Sequence, residues 1–282
     1  MPDNSKQNSQ ESPVRVAALQ MNSGNNMKQN LELAARLLIE AAADGCVLAV
    51  LPENFPFMGS RQRDKLQYAE ELGGGPIQEF LADMAQKNKI WIVSGSIPLK
   101  SAVANRCYGA TLVVDANGNT KNCYRKIHLF DVALPNSCEQ YRESATMMPG
   151  EEVVTQDTPV GCLGLSICYD LRFPELYRKL IDMGAVVLVI PSAFTLVTGK
   201  THWHTLLRAR AIENLAYVIA PNQFGQHGNG KTTYGHSLII DPWGQILAEA
   251  PEGNCIITAD LDPSLPQKLR SEFPALSHRM FK

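Results

Sequence analysis

Residues 161–175, GCLGLSICYDLRFPE, join a buried strand to a helix through a sharp polar turn. The segment up to residue 167 is nearly all apolar or small, and a helix is predicted at residues 174–183. Cys168 stands at the end of this strand. Its thiol is therefore predicted to be rigidly held, half exposed and close to backbone N–H groups that favour the nucleophilic thiolate.

Working outward, similar strand and helix patterns alternate along the chain. Predicted strands cover residues 14–21, 47–51, 90–96, 163–167, 185–190, 216–220 and 255–261, and hairpins are predicted within residues 108–127 and 235–249. The remaining predicted helices cover residues 27–43, 77–87 and 202–214, with a short one after Pro263. Both halves of the chain show this alternation of strands and helices, and each contains a hairpin. This pattern predicts an α/β domain, residues 13–282, with two packed sheets and helices outside. A doubly wound nucleotide-binding sheet is the competing fold, but no glycine-rich loop follows the first strand.

Composition excludes several classes of protein. The 282 residues are 45% hydrophobic and 19% charged, with a formal net charge of −2, so no basic surface for nucleic acid is expected. The longest apolar run, residues 184–191, is too short to cross a bilayer. Residues 1–12 are polar and predict a disordered tail rather than a secretion signal. We therefore expect a cytoplasmic protein with no membrane partner.

No metal site is predicted. The seven cysteines include no C-x-x-C pair. His202 and His204 stand two apart on a predicted helix, where side chains point to different faces.

Three chemically complementary residues each follow a predicted strand. Glu53, Lys126 and Cys168 should converge where strand ends meet at one edge of a sheet. A carboxylate can take a thiol proton, an ammonium can stabilise an oxyanion, and a thiol can form an acyl-enzyme. Taken singly, each residue has a plainer interpretation. Cys168 could be inert core packing, Glu53 a solvated residue or a cap, and Lys126 a surface lysine. His236 as the base of a Cys–His pair is an alternative that leaves Glu53 and Lys126 unexplained.

The sequence around these residues resembles the nitrilase (carbon–nitrogen hydrolase) superfamily. Three ordered blocks carry the resemblance: LPENF at 51–55, YRKIHLFD at 124–131 and ICYDLRFPEL at 167–176. The resemblance implies a four-layer αββα sandwich and a small-molecule amide as substrate. It also implies no cofactor and a homodimer or higher homo-oligomer.

The resemblance also implies roles for individual residues. Glu53, Lys126 and Cys168 would be the catalytic triad, and Glu143, in the RES segment before MPG at 148–150, an auxiliary glutamate. The oxyanion hole would be the backbone N–H of Tyr169 together with Lys126.

Further segments are similar to one branch of the superfamily, which includes amidases that hydrolyse deaminated glutathione. They are PSAFT at 191–195, TGKTHW at 198–203, LLRARAIE at 206–213, YGHS at 234–237 and DPWG at 241–244. The ω-amidase branch shares much of this pattern, so α-ketoglutaramate and α-ketosuccinamate are alternative substrates. We also consider nitrile hydrolysis, N-carbamoyl amide hydrolysis and a non-catalytic binding or regulatory role. The segment at residues 132–141 matches no familiar sequence pattern of the superfamily.

Substrates of this kind carry carboxylates, and the sequence offers a cation for them. Arg172, four residues after Cys168, could bind a carboxylate, with Phe194 and Thr195 at the same edge of the sheet. A salt bridge to Asp170 or Glu175 is the structural alternative for Arg172, and core packing is the alternative for Phe194. The arginines at 208 and 210 are predicted to be a solvated helix face or a subunit contact.

Overall fold

A computed structural model of the chain describes residues 12–134, 140–228 and 230–281, so the predicted disordered tail lies outside the described residues except for Ser12. The strands, in chain order, are β1 (Val14–Gln20), β2 (Leu48–Val50), β3 (Trp91–Val93), β4 (Ile97–Lys100), β5 (Cys107–Val114), β6 (Thr120–Arg125), β7 (Asp131–Ala133), β8 (Gln140–Arg142), β9 (Thr155–Thr158), β10 (Gly161–Leu165), β11 (Val187–Val189), β12 (Tyr217–Ala220), β13 (Phe224–Gln226), β14 (Thr232–Tyr234), β15 (Leu238–Ile240), β16 (Ile246–Glu249) and β17 (Cys255–Leu261). The α-helices are α1 (Met27–Ala43), α2 (Pro76–Asn88), α3 (Pro174–Asp182), α4 (Leu196–Asn214) and α5 (Leu265–Glu272). Short 3₁₀ helices cover Gln62–Tyr68, Glu143–Ala145, Cys168–Arg172 and Ala275–His278. Within the described ranges, no helix combines the length and the apolar character that a lipid bilayer requires.

The strands form two large sheets. The first runs in the order β17-β1-β2-β3-β5-β4, with β6 also paired to β5, and the second in the order β16-β15-β12-β11-β10-β9. In each sheet three central strands are parallel, β1 to β3 in the first and β10 to β12 in the second. Helices connect these parallel strands, as crossover connections require.

The two sheets pack face to face with helices outside. Val16 and Ala18 of β1 lie in the cluster that contains the second sheet, whereas Ala17 and Leu19 lie in the cluster that contains α1 and α2. This alternation follows from the two-residue repeat of a strand. Because α3 and α4 pack with the second sheet, the layers are helices, sheet, sheet and helices. The predicted αββα sandwich is confirmed.

Several element boundaries differ from the prediction. Helix α1 and strand β17 have the predicted bounds, and the side chain of Asn26 caps α1 by accepting the N–H of Gln29. Helix α4 begins six residues earlier than predicted because the Thr195 side chain caps it. The strand predicted at 90–96 ends at Val93, since Gly95 has a φ of 63° and breaks the extended chain. The hairpin of β13 and β14 was not predicted.

Candidate active site

The three residues predicted to meet come from both sheets. Glu53 follows β2 and Lys126 follows β6, both in the first sheet, whereas Cys168 follows β10 in the second. The prediction that they lie at one edge of a single sheet is therefore wrong. They lie where the two packed sheets bring their strand ends together.

Cys168 occupies a tight turn after β10. Its φ is 48°, in the left-handed region that few non-glycine residues adopt, and its N–H donates to Pro191 O at 3.0 Å. The Asp170 carboxylate fixes the turn by accepting the N–H of Ile167 at 2.8 Å and the hydroxyl of Tyr124 at 2.7 Å. Cys168 is only 8% exposed, so the prediction of a half-exposed thiol is wrong.

A continuous set of contacts surrounds the thiol. Lys126 Nζ lies 2.8 Å from Glu53 Oε1 and 2.9 Å from Glu143 Oε2. The other oxygen of Glu53 accepts the Ala193 N–H at 2.9 Å, and Glu143 accepts the Phe130 N–H at 2.7 Å. The Cys168 thiol lies close enough to Glu53, Lys126 and the Ala193 N–H for each of them to affect its pKa. The predicted residues Glu53, Lys126, Glu143 and Cys168 are thus brought into one cluster.

Burial dominates the electrostatics of this cluster. Burial and the negative charge of Glu53 raise the pKa of the Cys168 thiol well above its ordinary value, although Lys126 acts in the opposite direction. The predicted preference for the thiolate is therefore not supported, since burial and Glu53 both act against ionisation of the thiol. A regular α-helix begins only at Pro174, six residues later, so its dipole acts weakly on the sulfur.

Lys126 and Glu143 favour each other's charged forms. Burial alone would lower the pKa of the Lys126 ammonium, but Glu143 and Glu53 raise it well above its ordinary value. Burial alone would raise the pKa of the Glu143 carboxyl, but Lys126 and Lys65 outweigh it and lower that pKa. The cluster thus holds a buried ammonium paired with the Glu143 carboxylate, next to a thiol whose ionisation burial disfavours.

The cluster lies in a cavity that is partly open to solvent. Its lining includes Glu53, Asn54, Met58, Gln62, Lys65, Lys126, Phe130, Tyr141, Glu143, Thr146, Cys168, Tyr169, Arg172, Ala193, Phe194, Thr195, Thr198, Lys231, Thr232 and Thr233. All eight predicted site residues therefore line one cavity.

Arg172 is held against aromatic rings in this cavity. Its guanidinium carbon lies 5.2 Å from the centre of the Phe194 ring and 5.9 Å from that of Tyr169, and its Nη1 lies 3.3 Å from His202 Nδ1. Within the described residues it forms no ion pair, so the salt-bridge alternative to Asp170 or Glu175 is wrong. Phe194 both packs in the core, 3% exposed against Trp203, and lines the cavity.

Twelve of the twenty lining residues were not predicted as site residues, and Lys65, Lys231 and Ala193 are three of them. Lys65, on a 3₁₀ helix, donates to Asn54 Oδ1 at 3.3 Å, and Lys231 Nζ lies 3.6 Å above the Tyr141 ring. Ala193 contributes only its N–H. A lysine in a polar segment and a backbone N–H carry no recognisable sequence pattern, although Ala193 lies in the PSAFT segment.

Two other predictions are corrected by the structure. Arg210 is 5% exposed and donates to Leu171 O from Nε at 3.1 Å and Nη2 at 2.8 Å, so it is not on a solvated face. Arg208 is exposed, as predicted. His236 does not line the cavity, and its Nδ1 lies 2.7 Å from Glu249 Oε1, which excludes a Cys–His pair with Cys168.

Comparison with known proteins identifies the family of this chain. Residues 15–271 match the sequence model of the carbon–nitrogen hydrolase family. A deaminated glutathione amidase from Synechocystis sp. is 45% identical over 272 residues, which cover 95% of this chain and 99% of the relative. The crystal structure of the Caenorhabditis elegans NitFhit protein superposes with a TM-score of 0.89 at 38% identity, covering 95% of this chain and 65% of that one. Saccharomyces cerevisiae Nit3, from branch 10 of the nitrilase superfamily, superposes with a TM-score of 0.85 at 34% identity, covering 98% and 100%.

Proposed function

Because this chain belongs to the carbon–nitrogen hydrolase family, we propose that it is a cysteine amidase for a small linear amide that carries carboxylates. The observation that best supports this proposal is the cluster beside the Cys168 thiol, in which Lys126 lies 2.8 Å from Glu53 and 2.9 Å from Glu143. An acid, a cation and a thiol at these distances supply the groups that acyl transfer needs.

In the acylation step, Glu53 takes the proton of the Cys168 thiol as sulfur attacks the amide carbonyl carbon. The two side chains are neighbours in the same cavity, which gives that proton a short path. Because burial disfavours an isolated thiolate, deprotonation coincides with attack and the charge moves onto the carbonyl oxygen. Lys126 and the backbone N–H of Tyr169 stabilise this oxyanion. Glu53 then protonates the leaving nitrogen, and the C–N bond breaks to give a thioester.

In the deacylation step, Glu53 takes a proton from water, which attacks the thioester. Glu143 lies on the other side of Lys126 and positions this water together with the ammonium. Collapse of the second oxyanion releases the carboxylic acid and returns the proton to Cys168. Lys126 remains an ammonium throughout, as its two carboxylate neighbours favour.

The proposed substrate is deaminated glutathione, the substrate named for the Synechocystis relative. This molecule carries two carboxylates, whereas α-ketoglutaramate has the same acyl group and only one. The cavity offers Arg172, Lys65 and Lys231 besides the catalytic lysine, which supports the substrate with more negative charge. The amine product is then larger than ammonia, and an open cavity accommodates it.

Kinetics with purified protein test this proposal. We expect a higher kcat/KM for deaminated glutathione than for α-ketoglutaramate, and Cys168→Ala should reduce both by at least about a thousandfold. Arg172→Met should raise KM for both substrates, since it removes a donor for the shared carboxylate. A ratio strongly favouring α-ketoglutaramate would indicate an ω-amidase. No turnover of a panel of amides, nitriles and carbamoyl compounds would instead indicate a binding protein.

A further inference from the structure

We propose that His204, His236 and Glu249 form a binding site for a divalent transition-metal ion of the zinc type. One ligand atom from each side chain lies within 4.8 Å of the other two. None of the three residues lines the cavity that contains Cys168. The site is therefore separate from the proposed amidase chemistry and does not depend on it.

The three side chains converge on one carboxylate oxygen. His204 Nε2 lies 3.0 Å from Glu249 Oε1, and His236 Nδ1 lies 2.7 Å from the same atom. They come from three elements: helix α4, the segment between β14 and β15, and the end of β16. A bound ion would therefore connect a helix to two parts of the sheet layer.

The fold holds the imidazole of His236 in place. Its backbone has a φ of 52°, and its carbonyl accepts the indole N–H of Trp203 at 2.7 Å. The ring stacks on Tyr234, with ring centres 4.4 Å apart and an interplanar angle of 28°. Tyr234 also contacts the His204 ring edge-on at 6.0 Å. Such orientation of imidazoles before metal arrives favours binding.

The donor set suits zinc. Two imidazole nitrogens and a carboxylate oxygen are a known zinc ligand set, with water as the fourth ligand. Tetrahedral bonds to nitrogen and oxygen of about 2.0–2.1 Å place ligand atoms about 3.3 Å apart. The observed separations from Glu249 Oε1 are 3.0 and 2.7 Å, so a shift of a few tenths of an ångström would admit the ion. The side chains of His204, His236 and Glu249 are 31–37% exposed, which leaves access for the ion and its water.

Sequence spacing gives no indication of this site. The spacing of His202 and His204 predicts divergent faces, and in the structure His202 indeed turns toward Arg172. The actual partners of His204 are 32 and 45 residues away. Only the packing of α4 beside β14 to β16 brings them together.

Zinc titration of chelator-treated full-length protein tests the proposal. Isothermal calorimetry should show one Zn²⁺ equivalent whose affinity falls by at least about tenfold in His204→Ala and in Glu249→Gln. Because glutamine has nearly the same shape as glutamate, Glu249→Gln still tests the site if His204→Ala is unstable. His278→Ala, at an exposed histidine, is the matched control and should bind like the unaltered protein.

A parallel titration excludes the thiols as ligands. Cys168→Ala should retain the same zinc equivalent, and bound Co²⁺ should show visible bands without a strong thiolate band in the near ultraviolet. Equal affinity in Glu249→Gln, loss of binding in Cys168→Ala, or absence of binding in the unaltered protein would each overturn the proposal.

Discussion

At the scale of single residues, the environment of Cys168 raises the pKa of its thiol and also supplies the base that can activate it. Burial and Glu53 raise the pKa of the thiol, yet the same Glu53 lies beside it and can remove its proton. A nucleophile of this kind is activated when a neighbouring base removes its proton during attack on the substrate, rather than by being ionised beforehand. The two effects of Glu53 can be measured independently.

Glu53→Gln should lower the pKa of Cys168 while greatly slowing turnover. Removing the negative charge relieves its repulsion of the thiolate, so the pH midpoint of Cys168 alkylation by iodoacetamide should move to lower pH. Amide hydrolysis should fall by at least about a hundredfold, since the base is lost. Peptide mass spectrometry distinguishes Cys168 from the other thiols. Glu252→Gln, at an exposed position, should change neither quantity, and a midpoint that rises in Glu53→Gln would contradict the assignment.

Sequence could predict those site residues that lie in ordered blocks. Glu53, Lys126, Glu143 and Cys168 were identifiable because each lies in a segment resembling a known family. Lys65 was not, because it comes from a short 3₁₀ helix in a polar segment whose sequence carries no recognisable pattern. The buried state of the thiol was not predicted because a strand pattern indicates a face and does not indicate what covers a strand end.

At the scale of elements, the turns that carry the site depend on close backbone approach. Gly95 has a φ of 63°, and a Cβ there would collide with the carbonyl oxygen of Pro52, directly before Glu53. Thr111 donates its hydroxyl to the Gly95 carbonyl and fixes the turn from the other side. The position of Glu53 therefore depends on a glycine 42 residues away in sequence.

Gly95→Ala should impair both stability and catalysis. We expect a loss of about 2–4 kcal/mol in the free energy of unfolding, from left-handed backbone strain together with the clash. Displacement of Glu53 should also lower kcat. Gly45→Ala is the matched control, because Gly45 also has a positive φ, of 81°, but open space around it. It should cost only about 1–2 kcal/mol and leave kcat unchanged. Equal effects of the two variants would contradict the role given to the close approach.

Helix α4 fixes the turn after Cys168 through Arg210. This guanidinium donates twice to Leu171 O. Arg210→Ala should cost about 2–4 kcal/mol because that buried carbonyl loses both donors and Glu213 loses its nearest cation. Arg208→Ala, on the exposed face of the same helix, should stay within about 1 kcal/mol. Urea denaturation of both variants provides the measurement. A larger loss for Arg208 would show that the helix is anchored differently.

At the scale of the whole molecule, the site connects the two sheets. Glu53 and Lys126 follow strands of the first sheet, and Cys168 and Ala193 follow strands of the second. The αββα layers could be predicted because hydrophobic periodicity and the family resemblance agree. Which strand ends face each other could not, since pairing between distant strands leaves no local pattern. The expected homo-oligomer stays a prediction.

The charged cluster should make global stability depend on pH. Lys126 and Lys65 lower the pKa of Glu143 below its unfolded value, so its carboxylate stabilises the fold above that value and loses this effect as pH falls through the folded pKa. The free energy of unfolding should therefore decrease on acidification below about pH 4.3. Glu143→Gln should flatten this decrease in urea denaturation at several pH values, whereas Glu252→Gln should not. An unchanged slope in Glu143→Gln would mean that Glu143 is not ionised in the folded protein.

The thioester on Cys168 tests the central claim most directly. Rapid-quench mixing of the protein with deaminated glutathione, followed by mass spectrometry of the intact chain and its peptides, detects this intermediate. We predict a mass increase equal to the α-ketoglutaryl group, on the peptide containing Cys168, within the first turnover and absent in Cys168→Ala. Turnover at an undiminished rate in Cys168→Ala, or an acyl group on another residue, would contradict the account.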